Sequence, residues 1–162
     1  MKLKEVTIKP FYDTYKVCLS FKDTSKDNEP IEIDDPNRVL GIDLGVDNII
    51  TTSNNCGLSP FVIKGNEIKS RNQWYNKLLA KYTSKLRNST KQDSKYTSKR
   101  LNKLHMYRSN YVNDQYNKIA FYIIDYCQDN DIGTIVVGLN KQWKSEIKLR
   151  KADKQNFIEI SH

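Results

Sequence analysis

The chain has 162 residues, of which 38% are hydrophobic, and a formal net charge of +8. That length fits one domain, or one domain with part of another. No window approaches the roughly 18 consecutive apolar residues of a membrane span. The opening MKLKEVTIKP lacks the apolar stretch and small-residue cleavage site of a secretory signal, so neither a membrane nor a secreted protein is expected.

Charge placement says more than its total. From Lys64 to Arg108 there are 13 Lys and Arg against Glu67 and Asp93, or +11, which leaves −3 for the rest. A basic block on an otherwise slightly acidic chain points to a polyanionic partner. A solvated helical face in a Lys-rich composition is the plainer alternative. Cys18, Cys56 and Cys127 are widely spaced and form no CxxC pair, so they read as reduced thiols, with no zinc site within this chain.

In chain order, EVTIKPFYDTYKVCLSFK reads as two strands. Val6 and Ile8 alternate with polar residues, as do Tyr15, Val17, Leu19 and Phe21, and Tyr12-Asp13-Thr14 is the reversal. Two strands alone are marginal in water, so this hairpin needs further structure to lean on. The polar run to Asp35-Pro36 reads as a linker, with a domain boundary near residue 35. Three short strands follow, Arg38–Asp43, Asn48–Ser53 and Pro60–Lys64, with a hairpin signal at Asn54-Asn55-Cys56-Gly57.

From Asn66 the period changes. Trp74, Leu78, Tyr82 and Leu86 recur every four residues, and Lys77, Lys81 and Lys85 form a separate stripe. NSTKQDSKYTSK interrupts this helix. A second basic helix follows, and then a more apolar one from about Arg108 to Asp129. Asn130 to Gly133 closes it, TIVVGL reads as a buried strand, and the tail from Asn140 is polar. A helical crossover should lay that last strand parallel beside the first of the three. The expectation is an α/β domain with a mixed sheet in three layers.

Asp43 ends the first of those three strands between Gly41 and Gly45. Open α/β sheets bind ligands beyond their strand C-termini, and glycines permit close approach. In RNase H-like nucleases an aspartate so placed holds a divalent metal. In actin-like ATPases a similar GIDLG turn cradles nucleotide phosphates. The third reading is an aspartate that shapes a turn. An actin-like ATPase also needs a second phosphate loop and an adenosine-binding segment, for which this chain has no room.

RVLGIDLGVDNIITTSNN is similar to the first RuvC motif of the OrfB (TnpB-like) proteins of bacterial insertion sequences, which are RNA-guided nucleases. VIKGNEIKSRNQWYNKLLAKYTSKL resembles the segment after their third strand. YCQDNDIGTIVVGLNKQWKSEIKLRKADKQNFIEI resembles their second RuvC region, with Gly138, Asn140, Trp143 and Lys144 matching a Gly-x-Asn-x-x-Trp-Lys pattern. The leading hairpin resembles the last strands of the wedge (OB-like) domain. The resemblance covers nearly the whole chain. It implies residues 1–35 as the end of a wedge domain plus linker, and 36–162 as part of a RuvC-like, RNase H-like nuclease domain with a basic helical segment at 66–105.

The resemblance also implies site residues. Asp43 matches the family's first catalytic, metal-binding aspartate, with Mg²⁺ as the expected cofactor. Many members carry Glu-Asp-Leu-Asn at the end of the fourth strand; here Val137-Gly138-Leu139-Asn140 stands there, without the glutamate. Glu146 is the nearest local candidate, against a plainer reading as a solvated loop residue. The family's third aspartate and paired CxxC motif fall beyond His162, so the chain is expected to be incomplete at both ends and to cleave little or not at all alone. The basic region faces guide RNA and the guide–target duplex in the family. That makes Lys77, Lys81, Lys85, Arg87, Lys91, Lys99, Arg100, Lys103, Arg108 and Lys144 candidate nucleic-acid contacts. Tyr75, Tyr82, Tyr96, Tyr107 and Tyr111 are either base-stacking or helix-packing residues. DNA and guide RNA are the expected partners, in the cytoplasm of a bacterium at the nucleoid. The alternative is a DNA- or RNA-binding module without catalysis.

Overall fold

The computed structural model describes residues 1–22, 35–45, 47–89 and 97–138. In chain order these form β1 (Lys2–Phe11), β2 (Thr14–Lys22), β3 (Val39–Leu44), β4 (Asn48–Asn54), β5 (Val62–Lys64), α1 (Asn66–Ser89), α2 (Lys99–Asp129) and β6 (Thr134–Gly138). They fall into two units. A hairpin unit comprises Met1–Glu32 and Tyr75–Asn113, and a sheet unit comprises Ile33–Trp74 and Asp114–His162.

In the hairpin unit β1 and β2 pair antiparallel, with Leu3 opposite Phe21, Val6 opposite Leu19 and Ile8 opposite Val17. Those six share one face, as residues directly across a ladder do, and each stays about half exposed. The reversal is one residue shorter than expected. Thr14 already belongs to β2, opposite Phe11, and its hydroxyl donates to the Phe11 carbonyl at 2.9 Å. The buried apolar residues of this unit come from its helical segments: Tyr75, Leu101, Leu104 and Val112. Ser98 caps α2, its Oγ accepting from the Leu101 amide at 3.3 Å.

The sheet unit is a mixed sheet of order β5-β4-β3-β6. β3–β4 and β4–β5 are antiparallel and β3–β6 is parallel, as the helical crossover required. β5 is shorter than its apolar run, starting at Val62 rather than Pro60, since proline brings no amide to a ladder. Alternation is visible along β3: Leu40 and Ile42 are buried while Asp43 is exposed. Thr52 is also buried, yet its hydroxyl donates to the Phe61 carbonyl (3.0 Å) and accepts from the Phe61 amide (2.9 Å), so its polarity is satisfied. Ile49 and Ile50 of β4, Ile68 and Asn72 of α1, Ile123 and Cys127 of α2 and Ile132 after it are buried as well.

Two expectations need correction. α2 is one continuous helix of 31 residues, not a basic helix followed by an apolar one. No glycine or proline occurs between Lys99 and Asp129, so a change of polarity does not break the backbone. β6 is not a buried strand: Val136 is 54% and Val137 48% exposed, because among the described residues β6 is a sheet edge. Among the described residues Asp43 and Val136 are exposed on one face of the sheet, beside a cleft.

α2 ends in a Schellman turn. Asp131 has φ 52, Ile132 N–H donates to the Cys127 carbonyl (2.9 Å) and Asp131 N–H to that of Gln128 (3.4 Å). Arg38 secures this end. Its guanidinium donates to the carbonyls of Asn130 (2.9 Å) and Asp131 (3.1 Å), and its own carbonyl accepts from the amides of Gly133 and Thr134. One side chain thus satisfies helix-end carbonyls and sets β6 beside β3.

Candidate functional site

Sheet register builds the surroundings of Asp43. Asp43 pairs with Thr51 on one side and Gly138 on the other, and Gly41 pairs with Ser53 and Val136. Residues across a ladder share a face, so these six lie together. With Ile42 and Thr52 they line a shallow cleft of about 290 Å³. Its floor is glycine, serine and threonine, with Asp43 its one carboxylate. Among the described residues that carboxylate has no hydrogen-bond or ion-pair partner.

The two glycines flanking Asp43 serve different ends. A Cβ at Gly41 would come within 2.8 Å of the Ser53 hydroxyl, filling the cleft floor. At Gly45 it would meet the Asn48 carbonyl at 2.6 Å, and Gly45 N–H donates to the Ile49 carbonyl at 3.3 Å. Gly45 is therefore demanded by the β3–β4 turn itself. Beyond this turn Asp47 forms an ion pair with Lys69 of α1, and its carbonyl accepts from the Gly65 amide at 2.9 Å. Lys69 is thereby engaged within the fold, which the sequence did not signal.

Among the described residues no three His, Cys, Asp or Glu side chains gather as a metal site. A divalent ion engaged in phosphodiester chemistry takes several oxygen ligands. Asp43 alone does not fit one, and no metal-dependent step follows from the described residues. Glu146, the candidate second ligand, lies outside them, as do Lys91, Lys144, Tyr96, Asn140 and Trp143 and most of the linker before Asp35.

The described basic candidates all fall in the hairpin unit. Lys77, Lys81, Lys85 and Arg87 lie on α1, and Lys99, Arg100, Lys103 and Arg108 on α2. Seven are exposed and Arg108 is half-buried. Segments 75–89 and 99–113 contain no acid at all. Lys99 and Arg100 occupy the first turn of α2, where the helix dipole disfavours cations and no acid compensates. Arg100 lies over the Tyr82 ring at 5.2 Å and Arg108 over Tyr75 at 5.1 Å.

Tyr75 is a packing residue: it is buried, and its hydroxyl sits 2.7 Å from His105 Nδ1. Burial, with the Arg108 charge adding to it, lowers the His105 pKa and favours the neutral ring, whose tautomer sets the direction of the bond with Tyr75. Sequence periodicity did not single out His105.

The family model OrfB_IS605, described as a probable transposase, matches residues 23–144. No curated protein matches the chain. Among solved structures, a chain of the "Cas12f1-sgRNA-target DNA complex", determined by cryo-EM, is similar with a TM-score of 0.53 at 15% identity. The match covers 87% of this chain and 32% of that one, so this chain spans about a third of that structure's length.

Proposed function

The chain belongs to the OrfB_IS605 family of probable transposases, and on that premise we propose that it binds nucleic acid through the basic helical segments of the hairpin unit. The observation that carries this reading is the set of eight cations on 75–89 and 99–113, seven of them exposed, with no acid among them. Phosphate neutralisation releases condensed counterions, so such a surface gains affinity from any polyanion. Two cations at the unfavourable end of α2 weaken that helix slightly. A phosphate partner would turn this cost into a gain.

The finer reading is of the RuvC type. The sheet β5-β4-β3-β6 would be the start of an RNase H-like domain spanning 36–162. The β1–β2 hairpin, within 1–35, would be the end of an OB-like wedge. Parallel pairing of β3 with β6 and the open cleft at Asp43 support it. In this reading Asp43 is the first carboxylate of a Mg²⁺ centre for DNA cleavage guided by RNA. The remaining ligands, Glu146 among the candidates, would come from outside the described residues. Binding is the activity that the described residues carry, and cleavage depends on ligands outside them.

The test is a pair of measurements on the purified chain. Fluorescence anisotropy with RNA, single-stranded DNA and duplex across a KCl series should show binding that weakens steeply with salt. Incubation of the same substrates with Mg²⁺ should give little or no product. Any product that forms should vanish in Asp43→Ala while binding persists. Salt-insensitive binding sinks the polyanion reading, and Mg²⁺-dependent cleavage that survives Asp43→Ala sinks the role of Asp43. A second reading, a binding module without catalysis, is favoured by the single carboxylate in the cleft. It requires binding indifferent both to Mg²⁺ and to Asp43→Ala.

A further inference from the structure

We propose that Tyr12, at the tip of the β1–β2 hairpin, is a stacking platform for an unpaired nucleobase. The proposal rests on the nucleic-acid reading above and deepens it by naming the ligand as single-stranded.

The turn between Phe11 and Thr14 has two central residues, Tyr12 and Asp13. Tyr12 has φ 58, and among the described non-glycine residues only Asp131 also has a positive φ. A two-residue turn with positive φ at its first central position alone follows the II′ pattern, where glycine is the residue without strain. Asp131 is accounted for by the Schellman turn of α2. Tyr12 is a bulky side chain in a left-handed conformation at a place where glycine would cost nothing. Such an outlier points toward function.

What the strain achieves is visible in the ring contacts. The Tyr12 ring stacks on the His105 imidazole, with centroids 5.6 Å apart and planes 13° from parallel. Phe11 and Tyr12 form a T-shaped pair, with centroids 4.9 Å apart and planes at 67°. His105 is itself held by the Tyr75 hydroxyl, and Arg108 lies over Tyr75. Tyr12 and His105 therefore form a stacked pair, and Tyr75 lies tilted against the far ring, its centroid 5.8 Å from that of His105 and its plane at 59°. One ring face of Tyr12 is covered by His105, and the residue remains 49% exposed. A planar ring laid against the exposed part of Tyr12 would extend this stacked pair, as a base does on an aromatic side chain.

Cations lie beside it. Lys16 is 5.9 Å from the Phe11 ring centroid, and Lys9 is its cross-strand partner. Their ammonium groups can neutralise the phosphates on either side of a stacked base. A duplex has no unpaired base to offer, so the site selects single strands.

The experiment uses the full chain and strands carrying 2-aminopurine, whose fluorescence is quenched on stacking. RNA and DNA strands are titrated in parallel, with a duplex of the same sequence as control. Wild type should quench the probe in the RNA strand, the DNA strand or both, which names the source of the base. Tyr12→Gly removes the ring and relieves the strain. Its Tm should be equal or higher, while single-strand affinity falls about tenfold and the quench disappears. Its salt slope and duplex affinity should not change, since no phosphate contact is lost. Tyr12→Phe should restore affinity and quench.

An unaltered quench and affinity in Tyr12→Gly overturns the proposal but leaves the nucleic-acid reading intact. No binding of any strand by wild type at low salt overturns both. Tyr12→Asn, which also tolerates a left-handed backbone, guards against an unstable variant. Loss of the fold in both Tyr12→Gly and Tyr12→Asn would make the ring a packing group and overturn the proposal.

Discussion

The two halves of helix α2 carry opposite chemistry on one unbroken backbone. Residues 99–113 hold Lys99, Arg100, Lys103 and Arg108 and no acid. Residues 114–129 hold Asp114, Asp125 and Asp129 against Lys118 alone. Lys118 is paired to Asp114 at 2.7 Å, one helical turn away. Where acids and bases alternate, charge is neutralised within the helix and contributes little beyond solubility. Where four cations stand without an acid, the helix gives up some stability and retains a field that an external polyanion can neutralise. The same contrast separates the two units. The sheet unit satisfies itself, through the Thr52–Phe61 bonds, the Asp47–Lys69 pair and the Arg38 clamp. In the hairpin unit seven of the eight basic candidates are exposed, and the apolar strand face stays about half exposed.

Substitutions can break that contrast. The largest effect should come from Leu40→Ala, which empties a position that is 0% exposed. Loss of about 2–5 kcal/mol is expected, read as a fall in urea midpoint. Any remaining folded protein should bind nucleic acid with an unchanged salt slope. The converse is the triple change Lys81→Ala, Lys85→Ala, Lys103→Ala. It should leave the urea midpoint nearly unchanged and weaken binding at 50 mM salt by about a hundredfold, with the salt slope reduced by about 2. Asp114→Asn with Asp125→Asn should do neither, and a comparable loss of affinity there would erase the distinction between the halves.

Smaller effects sharpen it. Arg38→Ala leaves the carbonyls of Asn130 and Asp131 without their guanidinium donor, and should cost about 1–3 kcal/mol. Hydrogen exchange should locate the loosening at the end of α2 and at β6. Asp131→Gly removes the left-handed penalty at the helix end and should raise stability by about 1 kcal/mol.

The pH dependence of His105 is the smallest effect. Its folded pKa is lowered below 6.5, by burial first and by Arg108 second. As pH falls through 6.5 the unfolded chain takes up a proton before the folded one, so stability present at neutral pH declines on acidification. A Tm series from pH 7.5 to 5 should show this decline, and His105→Gln should flatten it. An imidazole that titrates at or above 6.5 in a proton NMR series contradicts the assignment.

Much of this architecture is legible without coordinates. Alternating Val6 and Ile8, the four-residue recurrence of Trp74, Leu78, Tyr82 and Leu86, and the apolar run at TIVVG each follow from local periodicity, which needs no partner to be read. The position of Asp43 at a strand end was legible for the same reason, and the parallel return of β6 followed from the helical crossover between the strands. The break placed near Arg108 was an error of the same method: composition changes there, yet backbone hydrogen bonding does not respond to composition.

Other features depend on residues far apart in sequence. The cleft floor joins Gly41 and Asp43 to Thr51, Ser53, Val136 and Gly138, and only strand register brings them into line. Arg38 finds its partners 92 and 93 residues away. Tyr12, His105 and Tyr75 come from a turn and two helices.

By itself, then, the sequence determined the elements, their polarity and the segregation of positive charge, because each is a property of neighbours along the chain. Tertiary structure alone decided what Asp43 faces, which cations are already engaged and why a tyrosine occupies a glycine conformation. Register, capping and ring stacking depend on distances between groups that the chain does not place side by side.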